Sequence, residues 1–410
     1  MQNTNMTITI SELYRLFHIP EYEGGGEPLD VYPCANDDFL LCVQGVSVED
    51  FAKYLSEVEA SDYELCAKDE VDENVFYSFD SEKYFLRLSY SPRISALRLI
   101  CGEKKSDIKR KPARTDASVS PAVSQLQLKL GMCYCITLSD GTFLMIDGGL
   151  NDTEDEDRLY KYLCDNTPSG NKPLVRAWFM THTHPDHTRL AVSFMERYCK
   201  EVDVLEAVYN FPDYNQITVH RESAEGNARN AAQFSDTVKC CYPEAIHTLC
   251  RTGEIIEYPG VRVTTLITHE DVYPIPINSS NHTSSVWRFD FESGKSFMCL
   301  ADMSTETCEL MVRTYSAEYL KADIMQVVHH GLLGGHIDLY RAIDPDICLW
   351  PSPKERFLGI WVDPRRVAVG KPTVQFCIGE GGCDYNKWLR DDSIKKREHF
   401  HAGETVVLPV

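Results

Sequence analysis

Residues 182 to 187 read His-Thr-His-Pro-Asp-His, three imidazoles and one carboxylate within six positions. These are the groups that hold zinc, manganese or iron, and at this density they supply two half-sites for a pair of divalent cations sharing one water. The preceding stretch, Leu174–Met180, is apolar and rich in strand formers, so His182 falls where a buried strand ends. His182 and His184 stand two apart. On extended backbone they project to one side and can grip one cation. Asp186 and His187 fall on the turn that follows and can reach a second.

Two cations need about six or seven protein ligands, so others must come from downstream. His282 precedes an alternating run, 285–291. A turn at Glu292-Ser293-Gly294 leads into a second run, 296–300, which ends next to Asp302. Antiparallel pairing of the two runs brings His282 and Asp302 to the same end. A third buried run, 323–328, ends at His329-His330-Gly331. One of those imidazoles is expected to face the cations and the other to point away or donate to a neighbour. His330, beside a glycine that allows a tight turn, is the favoured ligand. Asp147 closes the apolar run 143–146 ahead of Gly148-Gly149. It either orients a ligand histidine by accepting its free N–H or caps a turn, and spacing leaves both open. His401, near the C-terminus, is expected to be an exposed tail histidine.

Taken in order, Asp147-Gly148-Gly149, His182-Thr-His184-Pro-Asp186-His187, His282, Asp302 and His329-His330-Gly331 resemble the five motifs of the metallo-β-lactamase superfamily. With Leu130-Gly-Met-Cys-Tyr-Cys-Ile136 they are most similar to the branch that holds ComEC-type competence proteins and choline-phosphate esterases. The resemblance covers about residues 122 to 350, while nothing recognisable covers 1–110. Two departures stand out: His282 occupies a position that is often Asn in that branch, and Leu332 follows the His-His-Gly where Ser is common. The resemblance implies an αββα sandwich with both metals at one edge. It further implies that His182, His184 and His282 hold the first cation, that Asp186, His187 and His329 or His330 hold the second, and that Asp302 bridges them.

Two such cations lower the pKa of a shared water from about 16 toward neutrality. The expected activity is therefore hydrolysis by hydroxide generated at a dinuclear centre, with Asp186 accepting the water's proton. The expected substrate is a small or medium-sized phosphodiester or phosphoester. Lactone or thioester hydrolysis, nuclease action and iron-dependent redox chemistry are the alternatives on the same fold. Zinc suits the ligands best, and manganese or iron also fit.

The elements that must position these residues divide the chain of 410 residues in two. A small α+β domain is expected over 1–110, with strands at 39–43, 63–67, 75–79, 84–90 and 96–101 and a helix over 47–60 capped by Ser47. A polar, basic tether over 103–121, of which 111–121 separates the two domains, is expected to be solvated. The metal-binding domain follows over 122–410, with strands at 126–130, 134–138 and 143–146 and helices at 190–199, 225–238 and 305–320. Lys plus Arg total 41 against 62 Asp plus Glu, a net charge of −21. That charge disfavours binding to a phosphate backbone, so a small-molecule partner is expected and a nucleic acid is not. No membrane span or export signal is visible, the 16 cysteines form no paired CxxC motifs, and a cytoplasmic setting with reduced thiols is expected.

Overall fold

The structure, a computed structural model, describes residues 8–104, 110–112, 118–214, 223–354 and 384–410. The middle of the tether, including Lys105, Lys109 and Arg114, lies outside the described residues.

The N-terminal sheet is antiparallel, with strands in the order 27–28, Phe39–Gln44, Ala96–Glu103, Tyr84–Ser91, Asn74–Asp80 and Glu64–Val71. Helices Ile10–Phe17 and Val48–Glu59 cover one face. Ser47 caps the second helix by accepting the Asp50 N–H, and the helix buries Phe51, Tyr54 and Val58.

The rest of the chain builds two mixed sheets. One runs in the order Ile246–Leu249, Glu206–Tyr209, Leu174–Met180, Phe143–Ile146, Tyr134–Thr137, Ala122–Gln125 and Val406–Pro409. The other runs Ile255–Tyr258, Val261–Ile267, Val286–Phe291, Ser296–Cys299, Ile324–Gln326, Ile347–Trp350 and Glu398–His401. Strand alternation makes the layers. Leu144, Ile146, Ala177 and Phe179 of the first sheet share a core with Trp287, Phe289, Phe297 and Cys299 of the second. Their sequence neighbours Met145, Trp178 and Met180 pack outward on helices Thr153–Asp165, Pro185–Tyr198 and Ala224–Cys241. Met298 and Met325 pack outward on Thr305–Thr314 and Ile337–Ile343. This is an αββα sandwich preceded by a small α+β unit. Among the described residues, no helix is long and apolar enough to cross a membrane.

Three local expectations change. The tether is tied down where it is described: Arg110 makes a two-pronged ion pair with buried Glu206, and Arg176 donates to the carbonyls of Lys111 and Pro112. The helix expected over 305–320 breaks at Tyr315, where the Ser316 N–H and hydroxyl are drawn to the Asp72 carboxylate. His401 is no loose tail. It lies on the strand paired with Ile347–Trp350 and stacks on Trp350 at 6.2 Å.

The N-terminal sheet meets the sandwich through charges taken out of water. Arg251 donates to Asp38 at 2.6 Å and lies 3.5 Å from Glu270, with both carboxylates buried. Next to them, His269 is fully buried and held down to about 3 by that burial. It is therefore neutral: Nδ1 accepts from the Tyr32 hydroxyl at 3.4 Å and Nε2 donates to Asn210 Oδ1 at 3.0 Å. Removing one partner of a buried ionic cluster leaves charges that nothing offsets. Arg251→Met is expected to lower unfolding free energy by about 3–5 kcal/mol. An unchanged denaturation midpoint in guanidinium would refute this.

Candidate metal centre

Strands Phe143–Ile146 and Leu174–Met180 are parallel, as are Ser296–Cys299 and Ile324–Gln326 in the facing sheet. Their carboxyl ends open on one edge, and the segments leaving them carry the chemistry. Asp147 follows the first strand, His182 to His187 the second, Asp302 the third, and His329-His330 the fourth. Pro185 is the first residue of helix Pro185–Tyr198 and His184 is its N-cap. Asp186 and His187 therefore sit in the helix's first turn rather than in a loop before it. Gly148 lets that helix close on the strand end, since a Cβ there would lie 2.5 Å from the Ala191 nitrogen.

Asp302 is the hub. Its Oδ2 lies 3.3 Å from His187 Nε2, 3.4 Å from His330 Nε2, 3.7 Å from His329 Nε2 and 4.0 Å from His182 Nε2. His187 Nε2 is 3.2 Å from His330 Nε2, which is 3.7 Å from Asp186 Oδ2. His182 Nε2 is 3.0 Å from His184 Nδ1. Two compact donor groups result, His182-His187-Asp302 and Asp186-His187-His330.

The outward nitrogens set the tautomers. His187 Nδ1 is 2.6 Å from Asp147 Oδ2, and His330 Nδ1 is 2.7 Å from the Pro351 carbonyl, so each donates there and turns Nε2 inward. The Thr181 hydroxyl donates to Asp147 at 2.7 Å and accepts from His182 Nδ1 at 2.9 Å. Asp147 thus orients His187 directly and His182 through Thr181, while also accepting the Thr181 N–H at 2.8 Å. Thr181 is a functional residue that sequence reading missed, because a threonine carries no signal of its own there.

Charge inside the cluster is balanced by position. Burial disfavours a charged His187, but Asp302 and Asp147 outweigh it and hold the ring well above its ordinary value. Burial, reinforced by His187 and His184, pushes His182 well below. Burial acts to raise Asp302, yet the His330, His187 and His329 rings hold it well below the usual carboxylate range. Asp302 is ionised. Its other oxygen, Oδ1, is buried with no hydrogen-bond partner among the described residues, which is costly for a carboxylate oxygen unless something positive reaches it. Imidazole nitrogens and carboxylate oxygens converging on such an oxygen fit a pair of divalent cations.

Of the residues expected in the site, the structure brings His182, His184, Asp186, His187, Asp302 and His330 together. It does not bring in His282. The hairpin forms as expected, with Trp287 opposite Cys299, but the chain before it curls into a short helical turn, Ser280–Thr283. Hydrogen bonds among Thr183, Tyr214, Ser280 and Thr283 pin that turn to the His182–His184 segment. The His282 ring is left between the Pro276 carbonyl and the Asn278 N–H, with Nε2 3.7 Å from Glu306. His329 donates from Nδ1 to the Leu333 carbonyl, and its Nε2 also faces Asp302. His401 contacts Trp350.

No protein-family profile and no curated protein matches the chain. Among solved structures it is similar to CmlA, a diiron β-hydroxylase from Streptomyces venezuelae, at 12% identity and a TM-score of 0.40, covering 74% of this chain and 55% of that one. The chain thus spans about half the length of that hydroxylase. It is also similar to the metallo-β-lactamase fold protein YhfI from Bacillus subtilis, at 11% identity and a TM-score of 0.38, covering 70% of this chain and 99% of that one. A long form RNase Z from yeast is similar at 9% identity and a TM-score of 0.31, covering 56% of this chain and 36% of that one.

Proposed function

We propose that this protein is a metal-dependent hydrolase of the metallo-β-lactamase superfamily, acting on a phosphodiester or phosphoester of small to medium size. The observation that carries the reading is the convergence of four imidazoles on one ionised carboxylate, Asp302, whose second oxygen has no partner. His182, His184 and Asp302 would hold one cation, Asp186, His187 and His330 the other, with Asp302 shared. Bound there, two divalent cations would supply Lewis acidity toward a phosphoryl oxygen and a water ionised near neutral pH.

The chain's own residues then do the rest. Burial acts to raise Asp186, but the rings of His187 and His330 hold it below its ordinary value, so Oδ2 is a carboxylate at neutral pH. It is partly exposed, within reach of a proton leaving an attacking water. Asp147 accepts from Nδ1 of His187 and Thr181 from Nδ1 of His182, so Nε2 of each ring is aimed inward. The net charge of −21 favours a small substrate over a nucleic-acid strand.

Protein loaded separately with zinc, manganese or iron should hydrolyse bis-p-nitrophenyl phosphate, and dipicolinate should lower the rate at least ~100-fold, reversibly on re-addition. Turnover of lactone or thioester esters alone would move the substrate class. Activity confined to iron, with oxygen consumed, would replace hydrolysis by redox chemistry.

A further inference from the structure

We infer that His329, rather than His282, completes the imidazole set around the first cation, beside His182 and His184 and next to the Asn281 amide. This rests on the two-cation reading of the site. His329 Nδ1 lies 2.5 Å from the Leu333 carbonyl, which places the ring proton there and leaves Nε2 unprotonated. That Nε2 is 3.7 Å from Asp302 Oδ2 and 3.4 Å from the Asn281 side-chain nitrogen. Each of the two residues it approaches has a buried oxygen without a hydrogen-bond partner among the described residues, Asp302 Oδ1 and Asn281 Oδ1. Such a carboxylate oxygen and amide oxygen on the neighbours of an unprotonated imidazole nitrogen suit a cation.

Position relative to the first half-site agrees. His182 Nε2 and His329 Nε2 approach the same Asp302 oxygen, at 4.0 Å and 3.7 Å. The backbone is shaped to this end. His329 and His330 take φ of 49° and 56°, consecutive left-handed residues without a glycine between them. Each costs about 1–2 kcal/mol in an ordinary chain. A single left-handed residue would turn one ring inward and leave the other outside; two in succession deliver both. His282, by contrast, turns Nδ1 to the Pro276–Asn278 backbone and has Nε2 3.7 Å from Glu306, and it comes within 4.0 Å of neither Asp302 nor Asp186.

Metal content decides this without reference to turnover. Wild-type protein loaded with zinc and desalted should retain two equivalents by plasma emission. His329→Asn and His329→Gly, chosen because both residues accept left-handed φ, should retain one, and His282→Gln should retain two. Circular dichroism checks that each variant is folded. The inference is overturned if His282→Gln drops to one equivalent, or if the His329 variants keep two. Should both His329 variants fail to fold, cobalt-substituted wild type is compared with His282→Gln: an unchanged visible spectrum supports His329 and a shifted one overturns it. Wild-type protein that retains no metal overturns the two-cation reading itself, which is a separate result.

Discussion

Asp302→Asn is expected to lower kcat/KM at least ~10³-fold, about 4 kcal/mol of transition-state stabilisation, while leaving the protein folded. The size follows from the residue's place: its Oδ2 is within 4.0 Å of four imidazole nitrogens drawn from both sheets, so the change removes the donor that the two proposed half-sites share. The tolerance follows from protonation. Asp302 is the strongest influence holding His187 charged. Once it is neutral, the ring sheds its proton rather than remaining as a buried charge without a counterion, so the folding cost is limited. Zinc retention should fall below two equivalents, with the melting temperature within a few degrees of wild type. If the variant keeps both metals and near-wild-type turnover, Asp302 is not shared and the proposed centre is wrong. If it loses activity only by unfolding, Asp302 is a structural acid and the kinetic result says nothing about metals.

Much of the scaffold was legible because its determinants are local. Leu174–Met180 is a strand at both predicted ends, since a run of that length that is apolar but for Arg176 is best buried on two sides. Ser47 caps the helix over Val48–Glu59, as the serine and the spacing of Phe51 and Val58 require. The hairpin over 286–299 follows from alternation around Glu292-Ser293-Gly294. The departures have a common cause, which is that a side chain's direction beyond the end of a strand depends on backbone angles that composition does not encode. The pair His329-His330 shows it. Nothing in the pattern forces two successive non-glycine residues into the left-handed region, yet that is what turns both rings toward Asp302. His282 shows the converse: the hairpin register is right, but the turn at Ser280–Thr283 diverts the ring. The Arg251–Asp38 pair, 213 positions apart, is beyond any local signal.

The alternatives left open for Asp147, orienting a histidine or capping a turn, yield a second large effect. Its carboxylate accepts from three donors, the Thr181 N–H, the Thr181 hydroxyl and His187 Nδ1. Asp147→Asn keeps the shape and suits φ of 54°, a conformation asparagine takes readily. It nevertheless cannot match three donors, because the amide presents one acceptor and one donor group. Asn Oδ1 facing Thr181 would put the NH₂ against His187 Nδ1–H, and relief comes by moving the His187 proton to Nε2, the atom aimed at Asp302. A ligand histidine locked in the wrong tautomer is expected to weaken metal affinity about 10–100-fold. Competition against a chromophoric chelator measures this directly. Thr181→Val isolates the other branch: it severs the relay to His182 while Asp147 still holds His187, so a smaller loss confined to one equivalent is expected. Equal losses in the two variants would mean that Asp147 acts on the centre through the Thr181 segment as a whole. Unchanged affinity in Asp147→Asn would mean that the 2.6 Å contact to His187 does not govern how that ring presents itself.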